Sequence, residues 1–470
     1  MVNPQDFDSD SQQDFSAART LLHELLSSAE IVRELDRDGS ANAQQVYSNA
    51  ATIFALVLQR LEGGLTLKQT VKRMVDQHRD MLHSENRRVQ EGTLSENASA
   101  YDQARRTIPL QRVAGFCRLV GDRLADHCGD GVDGKRVYIL DGTTISLPPT
   151  KDLSEKFPTA RNQFGQSAWP IMSLLVAHEL DSSCCLVPEI GPMYGSQATS
   201  ELGLMKKLLA NTVPKDCIVM GDSGFGVFAA AHHCRTNGQS FVFSLTKQRF
   251  GSHLKTATLL EQGNGYTSYE VTWKPSPKEL KNHTEIPSDA TIHVFIHQLE
   301  LDDGKTLEVL TDMPYDAISI GALYRHRYDC EFDIRDFKVT LDTENMRARS
   351  VDTVMKELYG SVIAYNLVLQ FRRDAAKRCG LKPRRLSFSD TWLDFRHSLL
   401  IKSATTLEQW QLLYARGLAS ASQRVLPDRR GKRSYPRVAY TRPAKKTKFE
   451  RLHRDEAARL REEKRLNSLE

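Results

Sequence analysis

Between residues 135 and 245 short apolar runs alternate with amphipathic segments, and this order constrains the fold more than any other feature of the chain. Short apolar runs bounded by turn residues are typical of buried strands, whereas longer segments with one apolar stripe are typical of helices. The pattern predicts strands at 136–140, 171–178 and 184–190, then a helix at 199–209, a strand at 217–220, a helix at 225–234 and a strand at 241–245. Three strands followed by alternating helices and strands predict a mixed α/β sheet.

The residues before this region, 1–130, are predicted to be helical. The segment 44–60 has apolar residues at helical spacing, Gly63 and Gly64 interrupt it, and Thr66 can cap a second helix that ends near residue 78. Two helices joined by a glycine turn suit a DNA-binding module, but a plain helical hairpin explains this pattern better when it is taken alone.

The residues after this region predict a β-rich insertion and then helices. Between 248 and 312 short β-like runs at 269–273, 291–299 and 307–310 are separated by turn residues. Helices are predicted again at 318–339 and 353–378.

The C-terminal part is basic. Residues 429–448 contain nine Lys or Arg and no Asp or Glu, and Pro436 and Pro443 argue against regular structure there. Such a run is equally well explained as a solvated tail or as a DNA contact. Residues 450–466 mix both charges at helical spacing and predict an exposed terminal helix.

Cysteine usage and hydropathy argue against a disulfide-rich, zinc-binding, membrane or secreted protein. The eight cysteines form no C-x-x-C pair, which suits reduced thiols, and His232, His233 and Cys234 would point in different directions on a helix, so no zinc site is predicted. No stretch of about 18 apolar residues and no signal sequence occurs. The net charge of +5 is compatible with a nucleic-acid partner without requiring one. We therefore expect a soluble, cytoplasmic protein without a membrane partner.

Two aspartates each follow a predicted strand directly. Asp141 follows the run 136–140 and Asp222 follows the run 217–220, each with glycine close by. A carboxylate at a strand end projects into the crevice where open sheets commonly bind ligands. Taken singly, either aspartate is better explained as a turn or helix-capping residue.

A third carboxylate lies on the helix predicted at 318–339. At about 100° per residue, Tyr324, Arg327, Glu331 and Lys338 fall within roughly a 60° arc and face the same way. An exposed, ion-paired helix face would give the same pattern, because Arg327 and Glu331 are four residues apart. Phosphoryl transfer between DNA strands needs such a set, since carboxylates hold hard divalent cations and lysine or arginine side chains bind phosphates.

The spacing Y-x2-R-x3-E-x6-K at 324–338 resembles the signature of the insertion-sequence-4 type of bacterial DDE transposases. VYILDGTTISLP around Asp141, IVMGDSGFG around Asp222 and RARSVDTVMKELYGSVIAYNLV after the glutamate helix resemble this family's other blocks, in the same order. The resemblance covers about residues 40–375.

This resemblance implies a ribonuclease-H-like, mixed-sheet catalytic core with a β-rich insertion. It implies that Asp141, Asp222 and Glu331 bind two Mg²⁺ ions, with Mn²⁺ able to replace them. It also implies that Tyr324, Arg327 and Lys338 contact transposon-end DNA, and that a dimer binds two ends and then target DNA. A tryptophan of the insertion can stack on a flipped base in this family, but nothing aligns Trp273 with that role, and a core or surface position explains it better.

The sequence thus predicts a cut-and-paste DNA transposase. The predicted organisation is a helical N-terminal DNA-binding region, a catalytic core in two segments, a β-rich insertion, a helical C-terminal region and a basic tail, at residues 1–130, 131–247 with 313–345, 248–312, 346–425 and 426–470. The alternatives are a ribonuclease-H-like nuclease without strand transfer and a DNA-binding protein derived from a transposase that has lost catalysis.

Overall fold

The computed structural model describes residues 45–83, 85–126, 131–162, 165–301, 304–399, 407–427, 437–440, 448–451 and 454–466. Residues up to Arg424 form one compact unit, and residues from Val425 onward form a second. The predicted features at 1–44 lie outside the described residues. Within the described ranges, no helix combines the length and the apolar character that crossing a bilayer requires.

The N-terminal part of the first unit is helical, as predicted. Thr66 caps the second helix through a reciprocal pair of hydrogen bonds with Gln69, which explains why this helix starts where it does. The first helix is buried on nearly all of its faces, so it belongs to the core. The helices are α1 (Asn49–Leu61), α2 (Leu67–Gln77), α3 (Arg87–Gln90), α4 (Ser99–Thr107) and α5 (Leu110–Asp126).

A mixed sheet forms the centre of the first unit. Its first strands lie in the order β4, β3, β1, β5 and β6, where β3 is antiparallel to both β1 and β4, and β1, β5 and β6 are parallel. Three antiparallel strands followed by two parallel ones form the predicted ribonuclease-H-like core. The strands and the intervening helices are β1 (Val137–Ser146), α6 (Lys151–Lys156), β2 (Thr159–Asn162), β3 (Gly165–Glu179), β4 (Glu189–Pro192), α7 (Glu201–Asn211), β5 (Ile218–Gly221), α8 (Phe228–Thr236) and β6 (Ser240–Ser244).

Two of the strand predictions were wrong in detail. The first strand does not end at Asp141, because Asp141 and Gly142 stay paired with Val176 and Leu175 of β3 and the strand continues to Ser146. An Asp-Gly pair makes a hairpin turn only when the backbone takes positive φ, and Gly142 does not. The strand predicted at 184–190 is confined to β4, preceded by a single bridge between Cys185 and His178.

The β-rich segment does not form a sheet of its own. Its last strand pairs with β6, and the others follow outward, so the central sheet continues into the insertion. The predicted strand positions are confirmed. The elements are α9 (Lys247–His253), β7 (Thr258–Gly263), β8 (Tyr266–Trp273), α10 (Pro277–Asn282), β9 (Ile292–Glu300) and β10 (Thr306–Thr311).

The helix predicted at 318–339 runs from Ala317 to Thr340, but not as one uniform α-helix. It consists of α11 (Ala317–Tyr324), a 3₁₀ segment (Arg325–Tyr328), α12 (Asp329–Arg335) and a single wide π turn (Asp336–Thr340). Two contacts fix α12 against the sheet. Cys330 packs on the backbone of Ile139 in β1, and the buried carboxylate of Asp333 accepts a 2.6 Å hydrogen bond from Arg384.

The longest helix, α13 (Val351–Arg378), joins the N-terminal helices to the core. It packs against α1 so closely that a Cβ added at Gly360 would lie 3.2 Å from Leu56. Arg60 of α1 pairs with Glu357 of α13, and both side chains are at most one-tenth exposed. Glu357 also accepts hydrogen bonds from the backbone N–H groups of Arg347 and Ala348, which holds the loop that follows the glutamate helix. The unit ends with a 3₁₀ turn (Pro383–Arg385), α14 (Phe388–Leu399) and α15 (Leu407–Ala421).

The second unit corrects the expectation for the basic tail. Arg437–Tyr440 and Lys448–Arg451 form an antiparallel pair, β11 and β12, within and just beyond the basic run. Pro436 and Pro443, on which the expectation of irregular structure rested, lie outside the described residues. The predicted terminal helix is confirmed as α16 (Arg454–Leu466).

Asp336, in the wide turn after α12, should make stability depend on pH. Burial raises its pKa to about 6, although Arg372 and Arg335 act in the opposite direction. Because the folded carboxyl holds its proton more tightly than the unfolded one, the free energy of unfolding should fall as the pH rises from about 4 through 6.

Asp336→Asn should therefore raise the free energy of unfolding at pH 7.5 by on the order of 2 kcal/mol and flatten its slope between pH 4 and 6. Urea denaturation over this pH range measures both quantities. The exposed Asp289→Asn is the matched control and should change neither. An unchanged slope in Asp336→Asn would contradict the assignment.

Candidate active site

Asp141 lies in the middle of β1, where the sheet separates two cores. Val137 and Ile139 pack in one core and Tyr138 and Leu140 in the other, so Asp141 falls on the face that carries the glutamate helix. Its side chain is 23% exposed, which leaves it accessible to a ligand. One carboxylate oxygen accepts a 2.8 Å hydrogen bond from the N–H of Gly142, which fixes its direction.

Asp222 directly follows β5, beside β1 in the sheet. Its Oδ1 accepts a 2.8 Å hydrogen bond from the N–H of Gly224, which closes a tight turn. Arg249 of α9 donates a hydrogen bond to the carbonyl of Ser223 and holds the same turn from the insertion side. No sequence pattern indicates this contact by Arg249, because its partner is a backbone atom.

Glu331 reaches the site from α12. Its Oε1 accepts a 2.6 Å hydrogen bond from Arg327, which lies one helical turn earlier, and its side chain is 54% exposed. The Nη1 atom of Arg327 also lies 3.9 Å from Oδ2 of Asp141. A single guanidinium therefore lies between carboxylates that come from two different parts of the chain.

The charges of the three carboxylates influence one another. Burial raises the pKa of Asp141; the Gly142 N–H and Arg327 oppose this shift, and the charges of Asp222 and Glu331 add to it. For Arg327 burial disfavours the charged form, but the bond to Glu331 and the neighbouring carboxylates raise its pKa overall. The site thus has more negative than positive charge, which favours a bound cation.

The stripe predicted to face one way, through Tyr324, Arg327, Glu331 and Lys338, is divided in the structure, and the helix that carries it is not one uniform α-helix. Tyr324 is only 3% exposed and bonds to Ser244 at the end of β6, and burial raises its pKa to about 12. Lys338 donates hydrogen bonds to Oγ1 of Thr143 and to the carbonyl of Thr144 in β1. The structure therefore brings Arg327, Glu331 and Lys338 to the open side of β1, and it places Tyr324 beneath them in the core.

Glu201 is a fourth carboxylate that the sequence analysis missed. Partial burial raises its pKa, and the charges of Asp222 and Asp141 raise it further, so it lies within their electrostatic reach. The sequence marks it only as a first-turn residue of the helix that Ser200 caps. The glycine after Asp141 is the signal that could have found it, because a side chain at that position would collide with Glu201.

Other candidate groups lie away from the carboxylates. Cys234 is fully buried, whereas His233 faces His283 and Glu285, which together could offer three ligands to a metal. Lys206 already pairs with the same Glu285 oxygen at 2.6 Å, which disfavours a cation there. Trp273 is 9% exposed and packs edge-on against Phe228, so it is a core aromatic.

Comparison with known proteins identifies the family. The family model described as "Transposase DDE domain" matches residues 133–367, which is half of the chain and includes all three predicted carboxylates. The chain belongs to this DDE transposase family. It is 26% identical to Transposase InsG for insertion sequence element IS4 of Escherichia coli (strain K12) over 322 residues, covering 66% of this chain and 69% of InsG. In a cryo-EM structure of the piggyBac transposase synaptic complex with hairpin DNA, the transposase shares 13% identity and a TM-score of 0.39, covering 88% of this chain and 86% of that one.

Membership of the DDE transposases establishes the class of reaction. These enzymes cleave DNA and transfer strands, and they use divalent metal ions. The donor set described above fits such ions, because carboxylate oxygens are the ligands that hard divalent cations prefer. Neither a nuclease without strand transfer nor a silent DNA-binding protein is favoured by any of these similarities.

Arg327→Gln should destabilise the metal-free transposase. It leaves Asp141 and Glu331 without their shared positive charge, and we expect the free energy of unfolding to fall by about 1–3 kcal/mol in the presence of a chelator. Urea denaturation measures this change. The neighbouring Arg325 is exposed, so Arg325→Gln should stay within about 0.5 kcal/mol of the wild-type value. If the two substitutions lowered the free energy of unfolding equally, Arg327 would not be balancing the charges of Asp141 and Glu331.

Proposed function

We propose that this transposase cuts double-stranded DNA at transposon ends and joins the freed 3′ ends to target DNA, with Asp141, Asp222 and Glu331 holding two Mg²⁺ ions. Mn²⁺ is expected to replace Mg²⁺. The observation that carries the proposal is that Asp141 of β1 and Glu331 of α12 share the guanidinium of Arg327, while the charge of Asp222, in the turn after β5, acts on Asp141.

Bound cations would supply a Lewis acid that activates water or a 3′-hydroxyl and stabilises the leaving oxygen. The protein's own residues keep the ligands in place beforehand. The N–H groups of Gly142 and Gly224 each bind one aspartate oxygen, so the remaining lone pairs stay directed outward. Arg327, 3.9 Å from Asp141, is placed to offer N–H groups to a phosphate near the cleaved bond.

The DNA backbone is proposed to run along the end of β1 beyond Asp141. Lys338 lies above Thr143 and Thr144, and an open cavity of about 740 Å³ follows at Ser146. Its cations are the exposed Arg347 and Arg349, whose loop is held by Glu357 from behind. The cavity is lined by Ser146, Pro148, Pro149, Trp169, Glu344, Asn345, Met346, Arg347 and Arg349. A row of cations on a fixed loop suits a phosphate backbone.

We also propose that the N-terminal helices and the basic tail contact DNA. The exposed Lys68 and Lys72 on α2 give the N-terminal helices a basic face for transposon-end DNA, and the basic tail is a second candidate. Two ends must be held together for joining, so we propose a homodimer in the DNA complex. We propose the cytoplasm, at the nucleoid, as the place of action.

Substitution of Asp141, Asp222 or Glu331 should strongly reduce DNA cleavage and leave DNA binding nearly unchanged. Asp141→Asn, Asp222→Asn and Glu331→Gln each remove a ligand charge, so cleavage of end-bearing DNA should fall at least about 1,000-fold while DNA affinity changes less than threefold. Gel assays of nicking and strand transfer, with fluorescence anisotropy for binding, measure the two effects. Glu155→Gln on the exposed face of α6 is the control and should keep both.

The same assays distinguish a transposase from a nuclease and test the metal assignment. Hydrolysis without joined products from the wild-type protein would mean a nuclease, and full activity of Asp141→Asn would refute the metal assignment.

The salt dependence of binding tests the DNA path. Arg347→Gln or Arg349→Gln should lower the slope of log affinity against log salt by about one per residue, because each charge lost releases about one counterion fewer. Anisotropy titrations between 50 and 300 mM salt measure the slope. Lys278→Gln, exposed on α10 in the insertion, is the control. Unchanged slopes for both arginines would place the DNA elsewhere.

A further inference from the structure

Glu201 begins α7, directly after the Ser200 cap, on the side of the sheet opposite to the glutamate helix. Its carboxylate nevertheless lies beside Gly142, which follows Asp141, and near Gly224 in the turn of Asp222. A Cβ added at Gly142 would collide with Glu201 Oε1, and one added at Gly224 would lie 3.8 Å from Glu201 Oε2. The two oxygens thus lie between the glycine that follows Asp141 and the turn that holds Asp222.

Gly142 is the opening that makes this reach possible. Neighbouring residues of a strand point to opposite faces, so a side chain at 142 would fill the space on the α7 side. Gly142 has no positive φ, which means that its backbone does not require glycine. The space occupied by Glu201 supplies the reason for glycine at this position.

The charged groups near Glu201 are themselves carboxylates. Among the described residues these neighbours are Asp222 and Asp141, and no cation is paired with Glu201, which is an exposed residue. Arg327 is already engaged with Glu331 and lies close to Asp141. A bound cation would therefore give this fourth carboxylate a partner of opposite charge.

We propose that Glu201 is a fourth carboxylate ligand of the metal site and helps Asp222 hold one of the two cations. This inference rests on the proposed function, because it assumes that the carboxylates hold metal. It assigns Gly142 a role as well: the residue keeps the passage between α7 and Asp141 open.

A purely structural role is the competing explanation. A glutamate in the first turn of a helix interacts favourably with the helix dipole, typically by 0.3–1 kcal/mol. In that case any acidic residue at position 201 would serve equally well. Glu201→Asp keeps the charge at the helix start but shortens the reach past Gly142, so it separates the two explanations.

The test uses the full-length protein and Mn²⁺ alone. Titration followed by electron paramagnetic resonance should show two bound ions in the wild type, with at least a tenfold weaker affinity for one of them in both Glu201→Gln and Glu201→Asp. The metal-free melting temperature of Glu201→Gln should be no lower than that of the wild type. Glu456→Gln, in the first turn of α16, is the matched control and should bind Mn²⁺ like the wild type.

Gly142→Ala provides a second, independent variant. Its methyl group should displace Glu201 and weaken the same Mn²⁺ site, and adding Glu201→Ala should produce no further loss, because one interaction is removed twice. Wild-type Mn²⁺ affinity in Glu201→Asp, or additive losses in the double variant, would overturn the proposal. DNA cleavage is measured separately, so two-ion binding without strand transfer would reject the proposed function while leaving the role of Glu201 intact.

Discussion

Mutual repulsion among carboxylates is the constraint around which this protein is arranged. Asp141, Asp222 and Glu331 come from a strand, a turn and a helix, and Arg327 is the counter-charge that the described residues place beside Asp141 and Glu331. Side chains of like charge would separate if their backbones could move. They remain together because each backbone is fixed from outside the site, so the surrounding fold supplies the stability that the site itself lacks.

The restraints on the site come from three directions. β1 pairs with β5 as far as Ile139 and with β3 through Asp141, so Asp141 cannot shift without breaking the ladder to β3. Asp333 and Arg384 hold α12 from beneath. Arg249 holds the turn of Asp222 from the insertion, which continues the same sheet. The β-rich insertion is therefore structurally part of the catalytic core, whatever further role it has with DNA.

Local patterns predicted much of this arrangement. The order of the predicted strands and helices depends on residues close in sequence, and the structure confirms it. The predicted stripe is only partly formed, because Tyr324 lies in the core while Arg327, Glu331 and Lys338 reach the open side of β1. The strand end at Asp141 was predicted wrongly, because pairing with β3 overrides the turn tendency of Asp-Gly. Glu201 was missed because its position in the site depends on how a helix crosses the sheet, which no local pattern contains. The assignment of metal-binding and DNA-binding roles to these residues remains a prediction.

The buried pair of Arg60 and Glu357 has a consequence for the order in which the chain is made. The two residues are 297 positions apart, and Arg60 is 2% exposed in the folded protein. During translation α1 emerges early with an apolar surface and a charge that have no partner until α13 has left the ribosome. Contacts of such long range form late and leave incomplete chains prone to association. A product that stops before α13 therefore lacks the partner of Arg60 in α1, and the loop after Glu331 lacks the Glu357 carboxylate that holds it.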